Sequence, residues 1–255
     1  MTAPTRTPRP PRPLAVLAVQ SSEWLTEHIV RLTVGGEGFA AFQTNDYTDK
    51  YVKIRFVDAE GHAVTRTYTV RRVDTAARTL TIDFVVHGGE GLAGPWAAAA
   101  EPGDVVSLSG AGGGYAPDPR HDWHLFVGDE SALPAIGAAL DALPRDSRGI
   151  AYLEVPAEAH RVELNAPEGV ELVWLHGHEP GAAPQALADA ISAGSWLPGS
   201  VGVFAHGERE SMKAVRAALR AREVGSLSLS GYWAYGRTED RFQAEKREPI
   251  GQIEP

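Results

Sequence analysis

Residues 66–72 read Arg-Thr-Tyr-Thr-Val-Arg-Arg, and the pattern around them is that of a strand, in which side chains alternate between faces. Arg66, Tyr68 and Val70 then point one way, and Thr67, Thr69 and Arg71 the other. A guanidinium fork, an aromatic plate and hydroxyls one strand step apart suit a ligand that is both planar and anionic, such as a flavin nucleotide. An exposed edge strand rich in Arg and Thr is the plain alternative. The next strand runs out into Gly88-Gly89 and Gly91, and Pro95 stands where a short helix through Trp96 would begin. A helix start after a glycine-rich turn can hold phosphate through free backbone N–H groups. An ordinary glycine loop reads equally well, and His87 alone reads as a hydrogen-bonded structural histidine.

Other motifs fail on context. Ser109–Tyr115 (SGAGGGY) imitates a dinucleotide fingerprint, but no helix follows and Pro117 and Pro119 end the segment, so it is expected to be a close-approach loop. The first strand of the second half leads into Gly-Asp-Glu-Ser-Ala-Leu-Pro, with no G-x-G-x-x-G, which argues against a tightly held dinucleotide of the dehydrogenase type. His176-Gly177-His178-Glu179, with His121 and His124 upstream, offers metal-ligand types, yet its setting is that of a solvated loop; no direct metal site is expected. There is no H-E-x-x-H, G-x-S-x-G or P-loop, so hydrolase and NTPase readings have no motif behind them.

The elements that must position these residues change character near residue 120. Before it, LAVLAVQSSEW, HIVRLTVGG, KYVKIRFVD, VTRTYTVRRVD, RTLTIDFVVHG and DVVSLSG make six or seven short strands with Gly, Pro and Asp turns between them, the spacing of an all-β barrel. After it, strands in WHLFVGDE, GIAYLEV, VELVWLH, GSVGVFAHG and SLSLSGYW are interspersed with Ala-rich helical stretches, as in a parallel sheet with both faces covered. The organisation expected is a loose Pro-rich tail over 1–13, a barrel over 14–119 and an α/β unit over 120–255.

Composition narrows the chemistry. The 255 residues contain no cysteine, which removes disulfides, thiolate zinc sites, cysteine nucleophiles and cysteine-ligated iron–sulfur clusters, so redox chemistry would need a bound cofactor. A formal net charge of −9 disfavours general nucleic-acid binding. No stretch approaches the ~18 apolar residues of a membrane span, and the basic N-terminus lacks a signal-peptide core. A cytoplasmic monomer without membrane insertion is expected.

Five ordered blocks, RTYTVRRVD at 66–74, the segment 83–104, FVGDESALPAI at 126–136, GERESMKAVRAAL at 207–219 and GYWAYGRTEDRFQAEKRE at 231–248, resemble the siderophore-interacting protein family, FAD-containing ferric-siderophore reductases with a ferredoxin-reductase-like fold. The resemblance implies an antiparallel FAD-binding barrel followed by a parallel-sheet NAD(P)H-binding domain. It implies that Arg66 approaches the FAD pyrophosphate, that Tyr68 lies against the isoalloxazine with Thr69 near its reactive nitrogen, and that Thr67, Asp83 and Val85 belong to the same cofactor wall. His87, Ala93, Gly94, Trp96 and Ala97 would serve the pyrophosphate and adenosine side, Asp129 and Ser131 the junction where nicotinamide arrives, and Trp233 would shield the flavin. None of these residues acts as acid or base; the flavin is the redox centre. Lys53 and Lys246 are the candidates for an anionic ferric chelate, with solvated surface as the alternative. Two departures stand out: Gly110-Ala111-Gly112-Gly113 lacks an arginine common in the family, and Ser131 replaces a threonine. Electrons would come from NADH or NADPH, or from a ferredoxin; acidic Glu154 leans to NADH, since it suits a free ribose hydroxyl better than a phosphate. The rival readings are a general flavin reductase on the same scaffold and a siderophore-binding protein without turnover.

Overall fold

In the computed structural model, residues 13–86, 91–177 and 179–253 are described. Six strands close into an antiparallel barrel: β1 (Ala15–Trp24), β2 (Ile29–Gly35), β3 (Tyr51–Val57), β4 (Ala63–Asp74), β5 (Thr79–Val85) and β6 (Val105–Gly112), in the spatial order β1-β2-β5-β4-β3-β6. Alternation drives the closure. In β1, Ala15, Leu17 and Val19 turn inward while Val16 stays half exposed, and Leu32, Ile54, Leu80, Ile82, Phe84 and Leu108 from the other strands meet them in one core. A closed barrel leaves no open strand edge for another chain to pair with.

The glycine-rich end of β6 departs from the expected loop. The strand continues through Gly110, paired with Val52, to Gly112, paired with Tyr51. A Cβ at Gly112 would sit 2.2 Å from the Tyr51 ring, and one at Gly113, where φ is +149°, would sit 2.9 Å from Tyr47. These glycines make room for two tyrosines. The helix after β5, α1 (Ala93–Ala99), begins two residues before Pro95 and buries Ala93 and Ala97 in the barrel core. Trp96 meets Phe56 and Phe84 edge-on, with centroids 5.6 and 5.9 Å apart.

The second half forms a five-stranded parallel sheet in the order β11-β10-β7-β8-β9, built from β7 (Trp123–Asp129), β8 (Arg148–Glu154), β9 (Gly169–Leu175), β10 (Val201–Glu208) and β11 (Ser226–Trp233). All eight residues of β10 are buried, as expected of a strand covered on both faces. One face packs Phe126, Leu153 and Phe204 against Ile136 and Leu140 of α2 (Leu133–Ala142). The other packs Leu125, Val127 and Val203 against Leu187 and Ile191 of α3 (Ala186–Ala193) and Met212 and Val215 of α4 (Arg209–Leu219). A last helix, α5 (Glu239–Glu245), lies in the segment expected only as a tail. Among the described residues no helix is long and apolar enough to cross a membrane.

Barrel and sheet meet across β4 and α2. An extra residue in β4, Arg71, bulges between the Val70–Ile82 and Arg72–Thr81 pairs. The bulge re-aims its side chain at α2, where Nη1 lies 2.6 Å from Asp141 Oδ2. Gly137 admits the guanidinium: a Cβ there would stand 2.9 Å from Arg71 Nε. Close approach also governs Gly128 in β7, whose Cβ would meet Ala132 Cβ at 2.6 Å and the His206 carbonyl at 2.8 Å. Gly128→Ala therefore forces the sheet against α2, and a urea melt is expected to show a loss of roughly 1–3 kcal/mol with little change in m.

Candidate functional site

The carboxyl ends of the parallel strands face the outer surface of β3 and β4, and a cavity of about 620 Å³ lies between them. The barrel contributes Lys53, Thr67, Tyr68, Thr69, Asp83 and Val85; the sheet contributes Asp129, Glu130, Ser131, Glu154 and Glu208; β11 and α5 contribute Tyr232, Trp233 and Lys246. Crevices at strand carboxyl ends are where open α/β sheets bind ligands.

Asp129 holds the sheet side together. Its Oδ1 accepts from the Ser131 backbone N–H at 2.9 Å and from the Ser131 hydroxyl, while Oδ2 accepts from Glu208 N at 2.7 Å and Trp233 Nε1 at 2.8 Å. Ser131 thus does what a threonine could do at this position. Gly207 is needed beside it, since a Cβ there would sit 2.9 Å from Asp129 Oδ2 and φ is +157°. Glu208 caps α4 by accepting from Ser211 N at 2.9 Å, and its other oxygen accepts from Tyr235 N at 3.1 Å. The strand carrying Trp233 is in this way tied at two points.

On the barrel side, Tyr68 packs on Phe84 with centroids 4.4 Å apart, and burial pushes its phenol above the ordinary range. Thr69 and the buried phenol of Tyr232 meet at the cavity, where β4 and β11 come together. Arg66 faces α5: its Nη1 and Nη2 lie 3.3 and 3.4 Å from the Asp240 carboxylate and its Nε 3.8 Å from Glu239. Glu239 also accepts from Thr67 N at 3.2 Å. The helix is anchored behind by Glu245, whose carboxylate meets Arg209 at 2.7 Å, Arg237 at 2.8 Å and Arg241 at 3.0 Å and is held well below the usual carboxylate range by these partners, Arg209 first.

Lys53 and Lys246 lie at the same cavity. Lys53 Nζ is 3.4 Å from Thr67 Oγ1, and Lys246 stands over the Phe242 ring at 4.7 Å. Burial lowers the Lys246 ammonium, and the Lys53 charge pushes the same way. The sheet end of the cavity is acidic instead. Glu154 is pushed up to about 7 by burial and then by Asp129 and Glu208, and Glu130 is pushed up to about 7, chiefly by burial.

Of the residues singled out in the sequence, Lys53, Thr67, Tyr68, Thr69, Asp83, Val85, Asp129, Ser131, Trp233 and Lys246 come together. Asp83 reaches the wall, but its carboxylate is held by Arg31 at 2.6 and 2.7 Å across the β2–β5 pair. Ala93, Gly94, Trp96 and Ala97 are not among the cavity residues, and the side chains of Ala93, Trp96 and Ala97 pack with the barrel core. His87 lies outside the described residues. Tyr232, Glu208, Glu239 and Arg71 were not singled out as site residues, because their roles come from long-range contacts; only Arg71 had a local signal, two residues beyond Thr69. Tyr68 and Trp233 offer ring faces and Thr67 and Thr69 offer hydroxyls, which fit the ring of a flavin. Arg66, expected at the pyrophosphate, is not among the cavity residues, and its guanidinium is engaged by Glu239 and Asp240.

The fold defines a ferredoxin-reductase-like architecture, an antiparallel barrel set against a parallel sheet with the cavity between them. Comparison with known proteins narrows the class. A family model described as siderophore-interacting protein matches residues 121–236, and one described as siderophore-interacting FAD-binding domain matches 57–115. The chain is 42% identical to an uncharacterized protein of Mycobacterium tuberculosis, over 93% of this chain and 96% of the relative. It is 32% identical to ferric vibriobactin reductase ViuB of Vibrio cholerae, over 88% and 90%. The crystal structure of a siderophore utilization protein from T. fusca superposes with a TM-score of 0.79 at 35% identity, covering 88% of this chain and 94% of that one. The chain belongs to the siderophore-interacting protein family. Flavohaemoglobin and ferredoxin reductase structures share the architecture at TM-scores of 0.62 and 0.63 and identities of 12% and 15%, a likeness of fold alone.

Two predictions follow from the carboxylates. In Asp129→Asn an amide NH₂ must face a donor, so Trp233 loses its anchor; a loss of about 1–3 kcal/mol and a shifted tryptophan emission are expected. Glu154 has a folded-state value raised above its ordinary 4.5, so its contribution is complete below about pH 4.5 and lost as pH rises through about 7. Glu154→Gln should flatten the decline of thermal stability across that interval; an unchanged slope would assign the decline to other groups.

Proposed function

We propose that the protein is a ferric-siderophore reductase, which uses FAD to pass electrons from a pyridine nucleotide or a ferredoxin to chelated Fe(III). The observation that carries this reading is the single cavity in which a flavin-type wall, Thr67, Tyr68, Thr69 and Trp233, faces both the carboxyl ends of a parallel sheet and two rim lysines. Family membership and the ferric reductase among its relatives support it.

When bound, FAD supplies the conversion between a two-electron donor and a one-electron acceptor. The chain's part is to hold, aim and screen. Thr67 and Thr69 would meet the edge of the ring, and Tyr68 and Trp233 its faces. Asp129, with four donors engaged, fixes Trp233 and the turn at Ser131 where a nicotinamide would enter. Glu154, set among carboxylates, favours a dinucleotide without a 2′-phosphate, and so NADH over NADPH. Lys53 and Lys246 gather an anionic chelate onto an overall negative protein. Fe(II) is held far less tightly than Fe(III) by hard oxygen chelators, so reduction frees the metal. The setting proposed is the cytoplasm, with the protein a monomer.

The test is an anaerobic absorption experiment: oxidised-flavin bands that bleach with NADH and return as a ferric catecholate is added, with Fe(II) trapped by a chromogenic chelator. Lys53→Ala and Lys246→Ala should each raise the KM for the anionic chelate severalfold, an effect that shrinks at high salt. A protein that bleaches but passes electrons only to free flavin or oxygen overturns the substrate assignment, and one that takes up no FAD overturns the reading as a whole.

A further inference from the structure

A second group of ligating side chains lies in the seam between barrel and sheet. Glu27 and His28 stand in the β1–β2 turn, and His160 stands in a 3₁₀ turn at Glu158–His160, 133 residues away from Glu27. One donor atom from each of the three lies within 4.8 Å of the other two. His160 Nε2 is 2.6 Å from Glu27 Oε1, and the two imidazoles stack with centroids 3.9 Å apart and planes 23° from parallel. Glu130 closes the group: its Oε1 is 3.6 Å from His28 Nδ1. The residue is only 5% exposed, and Oε1 is buried with no hydrogen-bond partner among the described residues.

A buried carboxylate oxygen aimed at imidazoles with nothing to satisfy it is costly unless a proton or a cation completes it. Two imidazoles with carboxylates form a borderline donor set, suited to Fe²⁺, Zn²⁺ or Co²⁺ and poorly to Mg²⁺ or Ca²⁺. Glu130 also lines the main cavity, so the cluster and the proposed site of reduction share a wall.

We propose that Glu27, His28 and His160, with Glu130 as the buried fourth donor, form a divalent transition-metal site in the domain seam, and that it receives the ferrous ion released in the adjoining cavity. The second half of this statement rests on the reductase reading; the first does not. No electron moves in this step. The ion exchanges chelator oxygens for imidazole nitrogens and carboxylate oxygens, and displaces the proton that His160 and Glu27 share. For both nitrogens to meet one ion, the stacked rings must turn about their Cβ–Cγ bonds.

Equilibrium dialysis of the purified full chain against Co²⁺, then against Fe²⁺ under anaerobic conditions, tests it. One ion per chain is expected with either metal, Fe²⁺ being the more weakly held of the two, as the ordinary affinity order of these ions requires. Affinity should fall at least tenfold in His160→Ala, Glu130→Gln and Glu27→Gln. Glu27 is largely exposed, so its variant tests ligation without disturbing the fold. Less than one ion per chain, or binding unchanged in all three variants, would falsify the site and leave a hydrogen-bonded seam. Co²⁺ binding with no Fe²⁺ bound in the anaerobic dialysis overturns the ferrous role. Because dialysis reads bound metal and not turnover, its failure is distinguishable from a failure of the acceptor assay.

Discussion

The Asp129 carboxylate is the joint on which the cavity depends. A parallel sheet ends in a row of loose loops, and here one buried-side carboxylate at the end of β7 collects donors from its own turn, from β10 and from β11. A charged acceptor shared among four donors fixes positions more firmly than neutral pairs do. With it in place, Glu208 can cap α4 and hold the chain after Trp233, and Tyr232 comes to rest against Thr69 of the barrel. The ends of two unlike sheets then become one surface. Arg71 reinforces the same union at a distance, through a bulge that sends its guanidinium to Asp141.

Charge is distributed across the cavity with a purpose that its residues make plain. Lysines and Arg66 gather where α5 meets β3 and β4, while Asp129, Glu130, Glu154 and Glu208 gather at the sheet ends. Burial raises the proton affinity of Glu130 and Glu154, and the neighbouring carboxylates add to it, which is why both are pushed up to about 7. An anionic guest is therefore drawn to one side and turned away from the other. The neutral His206, pushed down to about 3 by burial and stacked on Phe204 at 3.9 Å, adds a ring surface without a charge.

Much of this was legible in the sequence, for physical reasons. Period-two alternation in β1 and the apolar runs of β7 and β10 reported their layers directly, because burial on one face or two writes different patterns. Thr67, Tyr68 and Thr69 could be grouped from the sequence because they are neighbours in one strand, and the structure keeps all three at the cavity wall. What could not be read depends on residues far apart in the chain: Thr69 with Tyr232, Arg66 with Asp240, His28 with His160. Glycines misled in one place, where the segment expected as a close-approach loop instead continues β6 through Gly110 and Gly112 beside Tyr51, with Gly113 just beyond it against Tyr47. Helix α5 left a signal in Thr238, which caps it by accepting from Arg241 N, but seven residues of mixed polarity carry too little periodicity to stand out.

The position of β11 has a kinetic consequence. It is the edge strand of the sheet and pairs with β10 alone, yet it carries Tyr232 and Trp233, one whole wall of the cavity. Edge elements open by local fluctuation far more often than a molecule unfolds as a whole. Opening of that one peripheral strand would uncover the Tyr232–Trp233 side of the cavity while the barrel and the rest of the sheet stay folded, so the ties at Asp129 and Glu208 are what keep that wall closed.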